Sequence, residues 1–330
     1  MQKQLAISVL FIALFSLAAY YSFARIDQNI ERQFQGSDIE AIWMEGGRMC
    51  KGKNPYSRIL SGAENAHYKP PTYFPGFYMF ACAAQKFFPT EHRLSGIEVW
   101  MIVNSCIYLL IGILLFILFS SQEEYLLGLI VAAIFYFTRW HFRSLLSLQI
   151  DLAGLVFLVL AFAATQRKML LGCFFLSLSL LMKQVALIIV PVFVFYGLSR
   201  ERGQDRFLEL AKRAVLVGMI PIAALLPFLI DDFNGVINSI FYSASRGAQG
   251  QALYPPALRS MMMFGVFALV YVYAYLGRAS VVICSLMIML NFAGLHRVFF
   301  SQYYAWLSIT FLMVIYEWIS NRKSNPDLSA

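Results

Sequence analysis

The chain has 330 residues, of which 60% are hydrophobic and 13% charged, with a formal net charge of +8. Soluble domains run to roughly 45–50% apolar and about 25% charged residues, so a water-facing fold could not cover this much apolar surface. The 26 Lys and Arg are scattered between apolar runs and build no continuous basic face, which argues against a nucleic-acid partner.

Residues 5–23 form the first apolar run. It is long enough to cross the ~30 Å hydrocarbon layer as a helix and too long for a signal-peptide core, so it reads as an uncleaved anchor. A polar stretch at 24–71 follows, and then an apolar run at 72–88. Further runs lie at 97–119, 125–138, 145–165, 169–182, 185–198, 214–230, 259–276, 279–293 and 302–319. The alternating segments of about ten residues that build a transmembrane β-barrel are not found. The expected fold is all-α: a polytopic transmembrane helical bundle, with residues 1–330 as one domain.

Orientation follows from Lys and Arg, which short cytoplasmic loops retain. The cluster Arg200, Arg202, Arg206, Lys212 and Arg213 sets the cytoplasmic side. Lys3, Arg167, Lys168, Arg278, Arg322 and Lys323 then fall on that side, against Arg139, Arg143, Lys183, Arg246, Arg259 and Arg297 on the other. Keeping Lys3 inside requires an even number of crossings, about ten, so one run does not span. The run at 72–88 is short and opens with Pro70, Pro71 and Pro75, which suits a segment lying at the outer interface. Residues 24–96 then form one large extracytoplasmic loop.

Within that loop Ser37 and Glu40 have the S-x-x-E spacing of a capping box, which puts Asp38 in the first turn of a short helix. Ile39, Ile42 and Trp43 share one face, so the helix is expected to lie apolar side down on the membrane and to end at Gly46 and Gly47. A carboxylate beside the positive end of a helix dipole stays ionised and can act as a general base on a hydroxyl; equally, it can do no more than stabilise its own helix. Asp38 and Glu40, two residues apart, point to different sides of a helix, so no metal site is expected there. The five cysteines show no metal spacing; Cys50 and Cys82 leave a disulfide open.

Taken in order, Asp38, Trp43, Gly47, Gly52, Asn54-Pro55-Tyr56 and Tyr73-Phe74-Pro75 resemble the D-x(4)-W/Y, G-x-x-x-x-G-x-N-P-Y and Y-P-P pattern of GT-C membrane glycosyltransferases. The nearest branch is the bacterial polyprenol-phosphate-mannose-dependent type, which includes the phosphatidylinositol-mannoside mannosyltransferases. Leu148-Gln149-Ile150-Asp151 is similar to that branch's G-Q-x-N, and Lys183 falls where the branch has a lysine closing the next helix. His296 and Ser301-Gln302-Tyr303-Tyr304-Ala305-Trp306 resemble the S-x-Q-Y-x-x-W stretch of GT-C mannosyltransferases. Phe74, Leu148 and Asp151 depart from the pattern, and the proline expected soon after Lys183 is missing.

The resemblance implies a GT-C-like bundle in a bacterial plasma membrane, with both termini cytoplasmic and the site extracytoplasmic. It implies a polyprenyl-phosphate sugar donor, a lipid-linked or cell-envelope glycan acceptor, inversion at the anomeric carbon, and no cofactor or divalent metal. Asp38 matches the family's base. His296, Lys183, Arg139, Arg143 and Arg297 are expected to serve the donor phosphate, His296 first. Arginine suits phosphate through its planar fork, although each of these cations could equally snorkel to the interface. Tyr56, Tyr73, Gln149, Asp151, Gln302 and Tyr303 are the expected substrate contacts. Most of the Tyr and Trp near helix ends, Trp306 among them, read as interfacial anchors. The polar segment from Tyr242 to Arg259 reads as a mobile cover or an inert loop. A transporter or lipid-linked-glycan flippase is the principal alternative, although no internal repeat is seen.

Overall fold

The computed structural model describes residues 2–24, 38–60, 72–87, 93–139, 141, 151–245, 256–296 and 303–324. Among these residues every regular element is helical. Helix α1 (Gln2–Ala24) is followed by α2 (Asp38–Cys50), a 3₁₀ segment (Pro55–Leu60) and α3 (Gly76–Phe87). Then come α4 (Arg93–Ser120), α5 (Tyr125–Phe137), α6 (Asp151–Thr165) and α7 (Met169–Met182). A 3₁₀ segment (Gln184–Ile189), α8 (Val190–Phe195) and a 3₁₀ turn (Leu198–Arg200) lead to α9 (Gly203–Asp231) and α10 (Phe233–Ser245). The chain ends in α11 (Pro256–Tyr275), α12 (Val281–Leu295) and α13 (Tyr303–Ser324).

Four helical stretches, Lys3–Phe23, Glu98–Ser120, Gly203–Asp231 and Ala257–Tyr275, are long and apolar enough to cross a bilayer. Large apolar side chains such as Ile230, Met261 and Leu5 are exposed on them. A surface of this kind is stable against lipid and unstable against water. The architecture is that of an all-α membrane protein.

Helix α6 is the centre of the bundle. It is apolar all round, as an element enclosed by others must be, and buries Leu152, Leu155, Leu158, Val159 and Phe162. It packs against α7, α4 and α13. Ser179 Oγ of α7 donates to the Gly154 carbonyl of α6 at 2.8 Å, a side-chain bond that ties the two helices one turn from the start of α6.

Antiparallel packing sorts the helix ends into two poles. At one pole Lys183, after α7, reaches Asp151 at the start of α6. There Asn54 meets Asp231 at the end of α9, and Arg259 on α11 meets the end of α12. At the other pole Gln166, after α6, meets Glu317 near the end of α13. Arg200 there meets Gly277, and Lys323 meets the α4–α5 turn at Glu123.

Several expectations change. The helix beginning at Asp38 runs to Cys50 rather than ending at Gly46 and Gly47. Its face is not laid on the membrane: Ile39 and Ile42 are buried in the protein core. Gly46 instead permits close approach to α3, since a Cβ there would stand 2.5 Å from Ala81 Cβ and 3.0 Å from the Cys82 amide nitrogen. Cys50 and Cys82 are disulfide-bonded across the same contact.

The run at 185–198 is not one helix. Pro191 stands at the first turn of α8, where its missing N–H costs nothing, and the preceding residues take 3₁₀ form. Tyr271 Oη donates to the Ile188 carbonyl at 2.8 Å, satisfying a group the break leaves free. Helix α9 begins at Gly203, so the basic cluster that reads as a loop is partly helical. Part of the segment from Tyr242 to Arg259 is helix as well: its first residues close α10 and its last open α11, while 246–255 lie outside the described residues.

Candidate functional site

Tyr73, Asp151, Lys183 and Trp306 lie far apart in sequence and meet at one pole. Lys183 follows the last turn of α7 in extended conformation, which swings its side chain back over the start of α6. Its Nζ lies 3.3 Å from Asp151 Oδ2 and 4.7 Å from the centroid of the Tyr73 ring. The other carboxylate oxygen, Asp151 Oδ1, accepts a 2.7 Å hydrogen bond from Trp306 Nε1. Gly154, one turn into α6, makes room for this arrangement: a Cβ there would stand 3.0 Å from the Trp306 ring and 3.4 Å from Lys183 Cβ.

Lys183 is 2% exposed and Asp151 fully buried. Two opposite charges removed from water hold together only with good geometry and satisfied hydrogen bonds, and here both carboxylate oxygens are engaged. Lys183, expected among the cations that serve the donor phosphate, is ion-paired with Asp151 in this structure. Asp151 likewise holds Lys183 and Trp306 rather than facing an open cavity. Trp306 is no interfacial anchor; it is fully buried.

A second layer supports Tyr73. Tyr56 Oη donates to the Tyr73 carbonyl at 2.9 Å, and Tyr78 Oη accepts from the Tyr73 amide at 3.2 Å. Gln184, next to Lys183, donates to the Thr72 carbonyl at 2.7 Å. Tyr56 is fully buried, and burial, with a smaller contribution from Tyr78, holds its phenol well above the ordinary value, so it remains a donor. In this structure it serves as a strut beneath Tyr73. Its position is set by Asn54, whose Oδ1 accepts from the Tyr56 amide at 2.9 Å while its Nδ2 donates to Asp231 at 2.9 Å.

His296 caps the C-terminus of α12 and stacks on Phe292 with centroids 4.3 Å apart. Phe292 in turn contacts Tyr303 at 5.7 Å, and Tyr303 stands one turn before Trp306 on α13. Arg259 donates to the carbonyls of Leu295 and His296, occupying the negative end of α12. His141 is buried against Phe135 at 4.5 Å. Its Nδ1 donates to the Phe135 carbonyl at 3.1 Å, since a carbonyl can only accept. Burial pushes its imidazole down to about 4, with the backbone of Phe135 and Ala305 opposing the shift. Arg139 is exposed, two residues before it.

Asp38 opens α2, but its side chain lies outside the described residues, as do Arg143, Gln149, Arg297 and Gln302. Sequence reasoning missed Asp231 at this pole, and it placed Arg259 on this side without foreseeing that it closes the end of α12. Both follow or open apolar runs, and nothing local distinguishes them from ordinary helix-end charges.

Comparison of the chain with protein-family models, with curated proteins and with solved structures gives no match.

Proposed function

We propose that this chain is a membrane glycosyltransferase of GT-C type, with about ten crossings, both termini cytoplasmic and its site on the extracytoplasmic face of a bacterial plasma membrane. It moves a sugar, mannose or another hexose, from a polyprenyl-phosphate carrier to a lipid-linked or envelope glycan acceptor. What supports the reading is the meeting of Tyr73, Asp151, Lys183 and Trp306, which come from four separate stretches of the resemblance. Structural residues chosen only for burial have no reason to coincide with those segments.

In the proposed reaction the acceptor hydroxyl oxygen bonds to the anomeric carbon as that carbon's bond to the phosphate oxygen breaks. The hydroxyl proton goes to Asp38, and the phosphate leaves with the electron pair. One base and one phosphate-binding cation are the minimum equipment. His296, with Arg139, Arg143 and Arg297, supplies the cation. Lys183, with its charge balanced by Asp151, contributes directed N–H donors rather than net charge. Gln149, Gln302 and Tyr303 are the remaining substrate contacts.

The test supplies purified protein with labelled polyprenyl-phosphate sugars and a membrane lipid extract. Asp38→Ala and Asp38→Asn are expected to fold with unchanged melting temperature and to lose transfer by about 10²–10⁴-fold, the usual worth of a general base. Full activity in Asp38→Asn removes the base assignment. His296→Ala is expected to raise KM for the donor and leave acceptor KM unchanged; the reverse pattern counts against phosphate contact.

One observation favours a transporter instead: the interrupted segment from Gln184 to Arg200, beside Lys183. Transporters build substrate sites at such breaks. Lipid-linked sugar moved across sealed vesicles by the purified protein, with no glycosidic bond formed, would establish that reading.

A further inference from the structure

A cavity of about 630 Å³ opens between α12 and α13 at the pole opposite Lys183. It shares no residue with the Asp151–Lys183 cluster. Pockets of ~300–1,000 Å³ are the usual size for small ligands. Its polar end is made by Arg278, Ser280 and Glu317, and its wall by Ile283, Val314 and Trp318. Ile283 and Trp318 are 40% and 61% exposed, so the wall continues onto the outward face of the helices, where hydrocarbon chains would lie.

The polar end carries both signs of charge. Arg278 is exposed, in the turn before α12. Glu317 is buried, and its oxygens accept from Gln166 at 2.8 Å and from the Ser280 hydroxyl. An ionised carboxylate has about four acceptor sites, so capacity remains for a donor entering from the cavity. Arg322 lies over the outer Trp318 ring at 5.7 Å and keeps that side of the rim positive.

We propose that this cavity binds one phospholipid with a primary-ammonium zwitterionic headgroup. Its phosphate sits on Arg278, its ammonium donates to Glu317, and an acyl chain runs along Ile283, Val314 and Trp318. Arg278 and Glu317, the two charged side chains that line the cavity, match the two headgroup charges. A glycerol headgroup would bring no positive charge to Glu317, and a trimethylammonium group has no N–H to donate.

Full-length protein in mild detergent, incubated with equal amounts of phosphatidylethanolamine, phosphatidylglycerol and phosphatidylcholine, is read by native mass spectrometry. One phosphatidylethanolamine per chain is expected to be retained in preference to the others. Arg278→Ala and Glu317→Gln should each cut retention about tenfold, the worth of one charge-assisted hydrogen bond. Val314→Trp, which fills the cavity without altering charge, should abolish it. Melting temperatures confirm folding, and Arg278→Ala, at an exposed side chain, decides alone if Glu317→Gln does not fold. Preferential retention of phosphatidylglycerol overturns the charge match, and retention that no variant changes overturns the site.

Discussion

At the Asp151–Lys183 pair the energetics are asymmetric. A buried pair contributes little beyond well-packed apolar residues, but removing one partner strands a charge and costs about 3–5 kcal/mol. Asp151→Leu is therefore expected to lower the melting temperature in detergent sharply, and Asp151→Leu combined with Lys183→Met to recover most of the loss. Activity separates structure from chemistry here: if Lys183 donates to substrate, the stable double variant remains inactive. His141 carries a second prediction. Its imidazole titrates near 6.5 when unfolded and at about 4 when folded. The unfolded state thus binds more protons between those values, and stability present above pH 6.5 falls as pH drops toward 4, by about 3 kcal/mol in all. Thermal unfolding across that range should show the slope, and His141→Asn should flatten it.

Among elements, the α2–α3 pair is the most constrained. Gly46 brings the helices close enough for Ala81 to fill the gap, and the Cys50–Cys82 disulfide closes the far end. Gly46→Val is expected to cost about 1–3 kcal/mol, because overpacking must push α3 away. Since α2 begins at Asp38, the same variant should reduce transfer under the proposed mechanism. Alkylation of the denatured, unreduced chain should modify Cys106, Cys173 and Cys284 alone, with Cys50 and Cys82 reacting only after reduction. Modification of all five without reductant would show that the pair is not bonded. A disulfide also belongs to an oxidising compartment, which agrees with an extracytoplasmic loop. The broken segment between α7 and α9 presents the opposite case, an element whose irregular backbone is bonded by Tyr271 at Ile188 and tied at its start to Thr72 through the Gln184 side chain.

For the whole molecule, the separation of the two poles gives a direct test of orientation. Residues near Arg202 and residues near Asn234 lie at opposite ends of α9. In intact cells a membrane-impermeant thiol reagent is expected to label Asn234→Cys and to spare Arg202→Cys. The reverse pattern would move the candidate site to the cytoplasm and end the reading of a polyprenyl-phosphate donor at the outer face. The lipid cavity, at the other pole, would then face the outer leaflet with its headgroup chemistry unchanged.

Positions of the helices were legible in the sequence because bilayer solvation imposes a local rule: about 20 apolar residues per crossing, with cations held at the ends. The runs at 5–23, 97–119, 125–138, 169–182, 259–276, 279–293 and 302–319 each fall on a described helix. Lys183 was legible as a candidate because a charge between apolar runs is costly unless used, whereas Asp151 was picked out only by its resemblance to the G-Q-x-N stretch. Composition and periodicity determined the helix positions by themselves. Only the tertiary structure decided which charges cancel. Whether Lys183 waits for a ligand or is already paired depends on α6 and α7 lying antiparallel, and on Trp306 arriving from the end of the chain. Such pairing is a property of distances between elements, and no local pattern encodes it.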